Sequence, residues 1–401
     1  MNQYSRIFSG IKPIDKLHIG HYHGIIKHWL DWQYEHECFF MVADLHALAT
    51  KYIDPKDIKF FVKDMVINWL ATGVDPSQAT IFVQSQIPEH YQLHLLLSMI
   101  TPLSWLEREL GDKDRHIDNM SFSNQDTYGL LGYSLLQSVD MLLYDAKYAG
   151  VVEEQVSRVE LTREIARRFN HLYGREFGFE EKARASIKKL GAKKADLYEV
   201  LLTAYQQEGD EEALDKARYL LADAVNLSLG EQERLFAFLE NKSKVIMSEP
   251  QEIIYNSNLL LGLDGQGESR SANNVIYLRE GIDSINRKIR SMPTDPARVR
   301  ITDVGNPDKC PVWELHKIYS DSKTCEWVRN GCVTAGIGCL ECKKPLIEAI
   351  DIEQQKILAN ASPYLEDDNL ITNILADGAE RAQEIAAEKL IKIKEEMSFN
   401  Y

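Results

Sequence analysis

A run of six apolar residues, Cys38-Phe39-Phe40-Met41-Val42-Ala43, most constrains the fold. It has no polar alternation, so it reads as a strand buried on both faces, as a parallel sheet requires. Its surroundings agree. Arg6-Ile7-Phe8-Ser9-Gly10-Ile11 reads as a strand ending in a glycine turn, and Gly20 to Trp32 as a helix with a bulky apolar face. Phe60, Phe61, Met65, Val66, Trp69 and Leu70 recur at helical spacing, Gly73 stops that helix, and Ala79-Thr80-Ile81-Phe82-Val83 reads as a third strand. Strand, helix, strand, helix, strand is a doubly wound α/β pattern, with ligands expected at the carboxyl ends of the strands.

The rest of the 401 residues reads as mostly helical. A charged stretch from Phe177 to Lys244 has a capping box at Ser228 and Glu231 and is expected to be a helical insertion with a solvated face. Leu259 to Gly267 is a glycine-punctuated loop, and Gly378 to Met397 an amphipathic helix. The composition, 44% hydrophobic and 27% charged, excludes wholesale disorder. No apolar run reaches the roughly 20 residues of a membrane span. The first residues lack a signal-peptide pattern, so a cytoplasmic location is expected. A net charge of −15 argues against indiscriminate nucleic-acid binding. Residues 281–344 nevertheless carry 11 Lys and Arg against 8 Asp and Glu, a modest basic strip of +3 on an acidic body.

Two constellations carry chemistry. Lys16-Leu17-His18-Ile19-Gly20-His21 puts two imidazoles and a glycine at a helix start. Glycine allows close approach of a phosphate or adenine, the helix N-terminus favours anions, and imidazoles can donate to a phosphate. The second lies among the cysteines. Cys38 sits in the apolar run as a small buried hydrophobe, whereas Cys310, Cys325, Cys332, Cys339 and Cys342 cluster within 33 residues. Four thiolates from Cys310, Cys332 and the C-x2-C pair Cys339/Cys342 suit tetrahedral zinc or an iron–sulfur cluster.

His18-Ile19-Gly20-His21 resembles the H-I-G-H signature of class I aminoacyl-tRNA synthetases, and Phe8-Ser9-Gly10-Ile11-Lys12-Pro13 resembles the F-S-G-I-Q-P strand of tryptophanyl-tRNA synthetases. Asp44-Leu45-His46-Ala47, the Tyr133–Asp140 stretch, Glu160-Leu161-Thr162-Arg163, Pro293-Thr294-Asp295-Pro296 and Thr334 to Cys339 resemble further elements of that family. The resemblance spans nearly the whole chain. It implies a Rossmann-like catalytic domain over 1–176, a helical insertion over 177–244, a return to the catalytic domain over 245–280, and a helical anticodon-binding-like domain over 281–401.

By the same resemblance, the chain forms tryptophanyl adenylate from ATP with Mg2+ and passes the amino acid to tRNA(Trp), as a homodimer. The implied nucleotide residues are Gly10, Lys12, His18, Gly20, His21, Ser269, Arg270 and Ser271, with His18, His21, Ser269 and Arg270 catalytic. The implied tryptophan pocket comprises Phe8, His46, Tyr133, Gln137, Asp140, Val152 and Gln155, Asp140 accepting the indole N–H. The cysteines resemble a C-x22-C-x6-C-x2-C pattern that holds a 4Fe–4S cluster, one residue short in the long loop, with Cys325 a spare thiol.

Three departures matter. Where the family has K-M-S-K-S, the chain reads Gly267-Glu268-Ser269-Arg270-Ser271. Where it has V-G-E-D-Q, the chain reads Val151-Val152-Glu153-Glu154-Gln155. Lys12 and Asp15 replace a glutamine and a glycine near the substrate. These changes suit a paralogue that delivers tryptophan or a relative to a non-tRNA amine, and a catalytically inactive binding protein is a third reading.

Overall fold

The computed structural model describes residues 5–109, 127–174, 178–240, 245–255, 262–264 and 274–399. Five strands form one parallel sheet in the order β3-β2-β1-β4-β5: β1 Arg6–Ile11, β2 Glu37–Val42, β3 Ala79–Val83, β4 Tyr148–Val151 and β5 Gln251–Ile254. The apolar run of β2 is buried as its sequence demands, and side-chain alternation splits it between two cores. Cys38, Phe40 and Val42 join Ile7, Ile81, Trp29 and Trp69 on one face. Phe39 and Met41 join Phe8, Phe82, Leu135, Val139 and Tyr144 on the other. Trp29 stacks on Phe40 with ring centroids 4.1 Å apart, filling the first core with flat aromatic surface.

The helices follow in chain order. Residues 19–35 form α1, with a π-helical turn at Tyr22–Ile26 between the α-helical pieces Ile19–His21 and Lys27–Glu35. Helix α2 is Asp44–Lys51 and α3 Ile58–Thr72, which Gly73 closes at φ 111°. Helices α4 Glu89–Ser98, α5 Leu103–Glu109, α6 Tyr128–Leu131, α7 Tyr133–Leu142 and α8 Val156–Tyr173 cover the second face. Helices α9 Phe179–Lys189, α10 Ala192–Glu208, α11 Glu211–Ala222 and α12 Leu229–Leu239 make up the charged stretch. They bury a core of their own around Tyr198, Leu221, Leu235 and Leu239, and Ser228 and Glu231 cap α12 reciprocally.

Two strands depart from the mostly helical reading of the chain after the third strand. β4 and β5 are only four residues each, too short for a period-2 pattern, and Gly150 and Glu252 lower their strand propensity. Register with β1 holds β4 in place, and β5 pairs in turn with β4.

The C-terminal part comprises α13 Ile282–Ser291, α14 Pro311–Tyr319, α15 Ser322–Val333, α16 Cys339–Glu366 and α17 Asp368–Glu396. Helix α17 starts ten residues before the expected Gly378, because Asp367 caps it by accepting from the Asn369 N–H. It runs along the free edge of β3. Its Ile371 and Leu375 enter the first core, and its Ala382, Ala386, Leu390 and Ile393 the second. Covering an edge strand removes a pairing hazard. Among the described residues, no helix is long and apolar enough to cross a membrane.

Gly378 makes this covering possible, since a Cβ there would overlap the Ile81 carbonyl oxygen. Gly378→Ala is therefore expected to destabilise the chain by about 3 kcal/mol or more, read as a lowered urea midpoint. A second expectation concerns pH. His90 lies fully buried between Phe82 and Tyr144, and burial holds its pKa below the ordinary value, with the Asp140 carboxylate opposing. The unfolded chain binds a proton there near pH 6.5 and the folded chain does not, so acidification favours unfolding. The urea midpoint should fall between about pH 7.5 and about pH 5.5, and fall less in His90→Gln.

Candidate active site

Strand order reverses between β1 and β4, so a crevice opens at their carboxyl ends. Exposed Gly10 and then Lys12 lie at the end of β1, and Val152 follows β4. The segment after β1 folds back into α1, whose N-cap is His18. The Gly20 N–H donates to His18 Nδ1 at 3.1 Å, and the His18 N–H donates to His21 Nδ1 at 3.3 Å. Each Nδ1 is thus an acceptor, which puts the proton of each neutral imidazole on Nε2. The rings sit 3.9 Å apart between centroids, so two N–H donors share one end of the helix.

A pocket of about 610 Å³ opens there, walled by His18, Gly20, His23, Gly262, Leu263 and Asn274 among others. Gly262 to Asp264 and Asn274 are the two roots of the signature-like loop. Asn274 clasps them: its carbonyl accepts from Leu263 N–H at 2.8 Å, and its Oδ1 from Asp264 N–H at 3.0 Å. Beyond it, Ile276 and Leu278 bond to Ile19 and Leu17 across the approach to the H-I-G-H segment. Ser269, Arg270 and Ser271, with the altered Gly267 and Glu268, lie outside the described residues.

The expected tryptophan residues converge on the other side of the crevice. Asp140 on α7 is only 1% exposed, which removes the reading of an ordinary helix-face acid. Its Oδ2 accepts from His46 Nε2 at 2.7 Å and its Oδ1 from Gln84 Nε2 at 2.6 Å, with His90 Nε2 3.4 Å away. A carboxylate oxygen accepts more than one bond, so these donors hold Asp140 without exhausting it. His46 Nδ1 and Gln84 Oε1 are buried and have no partner among the described residues. Buried acceptors in that state are costly unless a ligand supplies donors.

The His46 ring meets Tyr133 edge-on at 4.5 Å, and Phe8 stacks on Tyr144 at 6.0 Å. Lys12 Nζ and the Arg158 guanidinium stand 5.5 and 5.3 Å from the Tyr133 ring centre. Arg158 also donates to Gln137 Oε1 at 3.4 Å, and Gln155 Oε1 accepts from the Val152 N–H at 3.3 Å. Gln84, His90, Asn274 and Arg158 were not singled out from sequence. Gln84 and His90 had a signal, since they follow the carboxyl end of β3, where a doubly wound sheet puts its ligand residues.

The cysteines line a separate cavity. Cys310 caps α14, Cys332 ends α15, and Cys339 and Cys342 occupy the first turn of α16. All four line the cavity, with Asp295, Arg298, Trp313, His316 and Lys343. Burial, then repulsion from the other three sulfurs, pushes the Cys342 thiol up to about 12. Cys325 stands apart, its thiol donating to the His316 carbonyl at 3.4 Å. Among the described residues, no three His, Cys, Asp or Glu side chains converge tightly enough to hold one metal ion. The single tetrahedral zinc held as an alternative is therefore not supported, because zinc needs every sulfur about 2.3 Å from one point.

Comparison with known proteins places this geometry. The pattern of the family described as tRNA synthetases class I (W and Y) matches residues 1–194 and 225–353. Tryptophan–tRNA ligase of Ralstonia nicotianae is 52% identical over 396 residues, covering 99% of each chain. That of Thermotoga maritima is 34% identical over 398 residues, covering 99% of this chain and 100% of the relative. Tryptophanyl-tRNA synthetase from Campylobacter jejuni, solved with ADP and tryptophan, has the same fold at a TM-score of 0.71 and 24% identity, over 98% of this chain and 99% of that one. With the family pattern matched over most of its length and near-full-length relatives this similar, the chain belongs to the class I tRNA synthetases of the W and Y family.

Proposed function

We propose that the chain is a tryptophan–tRNA ligase. The observation that carries this reading is the buried Asp140, held by His46 and Gln84 beside unsatisfied acceptors, in a chain whose α1 starts with the His18/His21 donors. A tryptophan carboxylate oxygen attacks the α-phosphorus of Mg2+-bound ATP, and pyrophosphate leaves. A hydroxyl of the tRNA terminal adenosine then attacks the adenylate carbonyl, and AMP leaves. No bond to the protein forms, so rate comes from positioning and electrostatics.

The roles follow from chemistry. The Nε2–H groups of His18 and His21 donate to phosphate oxygens as charge develops, and Gly10 and Gly20 keep the backbone open to the nucleotide. Ser269, Arg270 and Ser271 complete the phosphate site, Arg270 keeping a positive charge where a lysine is usual in the family. Asp140 accepts the indole N–H, Phe8, His46, Tyr133 and Val152 bound the ring, and Gln137 and Gln155 lie at the polar end. Lys12 faces the substrate carboxylate. The division at 176, 244 and 280, a homodimer, tRNA(Trp) as acceptor and a cytoplasmic location belong to this same reading.

The 4Fe–4S reading rests on the resemblance of the cysteine spacing and on four thiols that line one cavity. Four separate thiolates bind four corners, and the cavity has cationic and donor walls for an anionic group. Cys310, Cys332, Cys339 and Cys342 would hold it. When bound, it supplies a rigid thiolate-anchored brace with one-electron redox capacity.

Tryptophan-dependent exchange of pyrophosphate into ATP is expected, together with charging of purified tRNA. Exchange without charging would instead favour delivery to another amine, and no exchange with any indole acid would leave a binding protein. Asp140→Asn should raise the tryptophan KM by about 10- to 100-fold, the loss of one charge-assisted bond, with the ATP KM within about twofold. An unchanged tryptophan KM would remove Asp140 from the pocket.

A further inference from the structure

The cysteine cavity has a polar wall whose hydrogen bonds do not close within the protein. Arg298 is buried at 9% exposure, and its Nη2 donates to the carbonyls of Ile301 at 3.3 Å and Ile337 at 2.5 Å. Two carbonyls thus fix the guanidinium plane. Its Nε–H is buried without a partner among the described residues, and so is the indole Nε1–H of Trp313, 6% exposed. Both residues line the cavity that the four cysteines line. A buried N–H without an acceptor is costly, and two residues that each carry one line the cavity of the four cysteines, with the Arg298 side chain interacting with the Cys332 sulfur.

The other polar groups of this wall are already engaged. Lys343, 2% exposed, donates its Nζ to the carbonyls of Arg290 at 3.0 Å and Met292 at 2.6 Å. The Asp295 carboxylate accepts from the backbone N–H groups of Ala297 at 3.0 Å and Asn306 at 2.7 Å. His316 Nδ1 pairs with Ser320 Oγ at 2.8 Å, and its Nε2 lies 3.4 Å from Cys342 Sγ. Lys343 and Arg298 bring two positive charges, and Asp295 spends its negative charge on backbone. The missing acceptor is therefore anionic, and it sits among four thiols.

We propose that Arg298 and Trp313 are sulfur-facing donors: Arg298 Nε–H and Trp313 Nε1–H bond the sulfur atoms of an anionic iron–sulfide group held by Cys310, Cys332, Cys339 and Cys342. This rests on the cluster reading above and adds to it the residues that hold and tune the group from outside its ligands. Hydrogen bonds and positive charge at cluster sulfur stabilise the more negative, reduced state, so these residues raise the reduction potential.

The test uses the full chain loaded anaerobically with iron and sulfide. Wild type, Trp313→Phe, Arg298→Lys and Arg298→Gln are compared by bound iron, acid-labile sulfide, redox titration and the rate of colour loss to a chelator. Wild-type loading is expected. Trp313→Phe, which keeps the ring and removes the N–H, should load equally, titrate at a more negative potential and lose colour several-fold faster. Arg298→Gln should shift further than Arg298→Lys, which keeps the charge. A purely packing role would change thermal stability and leave the potential in place. Loaded Trp313→Phe and Arg298→Lys that titrate with wild type would overturn the donor assignment while the cluster reading stands. A wild type that takes up no iron and sulfide overturns both.

Discussion

Everything at this site depends on how a parallel sheet closes. Parallel strands leave both faces to be covered, so the chain must cross over one face after β1 and the other on its way to β4. The change of direction leaves a crevice at the carboxyl ends of β1 and β4. Side chains from distant parts of the sequence meet there because each lies just past a strand. Lys12 and His18 follow β1, His46 follows β2, Gln84 and His90 follow β3, and Val152 and Gln155 follow β4. The tight packing of Trp29, Phe40 and Trp69 below the crevice gives these loops a rigid base.

The electrostatics of the crevice divide cleanly. One end presents donors: backbone N–H groups donate to Nδ1 of His18 and of His21, which fixes the tautomer of each neutral ring. The other end presents acceptors around Asp140. A carboxylate at 1% exposure would be prohibitive alone, but His46 and Gln84 solvate it, and their own remaining acceptors stay available to a ligand. In the proposed function, triphosphate goes to the donor end and an indole N–H to the acceptor end. The whole chain carries a net charge of −15, so the local donor set acts against a global field that discourages stray polyanions.

Much of this was readable before any coordinates. The apolar run of β2, the glycine stop at Gly73 and the capping box at Ser228 are local rules with local outcomes. The H-I-G-H segment was readable because its spacing is itself the structure. The four-residue strands β4 and β5 were not, because register with β1, a long-range contact, decides them. Arg158 was hidden for a related reason, since its partner Gln137 lies on another helix and nothing in its own neighbourhood marks it; Gln84 and His90 were marked only by following the carboxyl end of β3. Gly378 is the sharpest case, an ordinary small residue in a helix whose necessity comes from the Ile81 carbonyl nearly 300 residues earlier in the chain.

The same logic explains how one short helix serves two cavities. Helix α14 is nine residues long, and Trp313 and His316, one turn apart, face the cysteines. Glu314, Leu315, Ile318 and Tyr319 face the pocket of His18 and Gly20. Tyr319 fastens the second face: its hydroxyl lies 2.9 Å from His23 Nε2 and donates to Glu353 Oε1 at 2.7 Å. His23 sits in the π-helical turn directly after His21, so the wall of the nucleotide-end pocket and the wall of the cysteine cavity are two sides of one helix. Burial and the Glu353 carboxylate raise the Tyr319 pKa, so the hydroxyl remains a donor throughout the working pH range. Helix α14 therefore borders both the cysteine cavity and the pocket at the paired imidazoles.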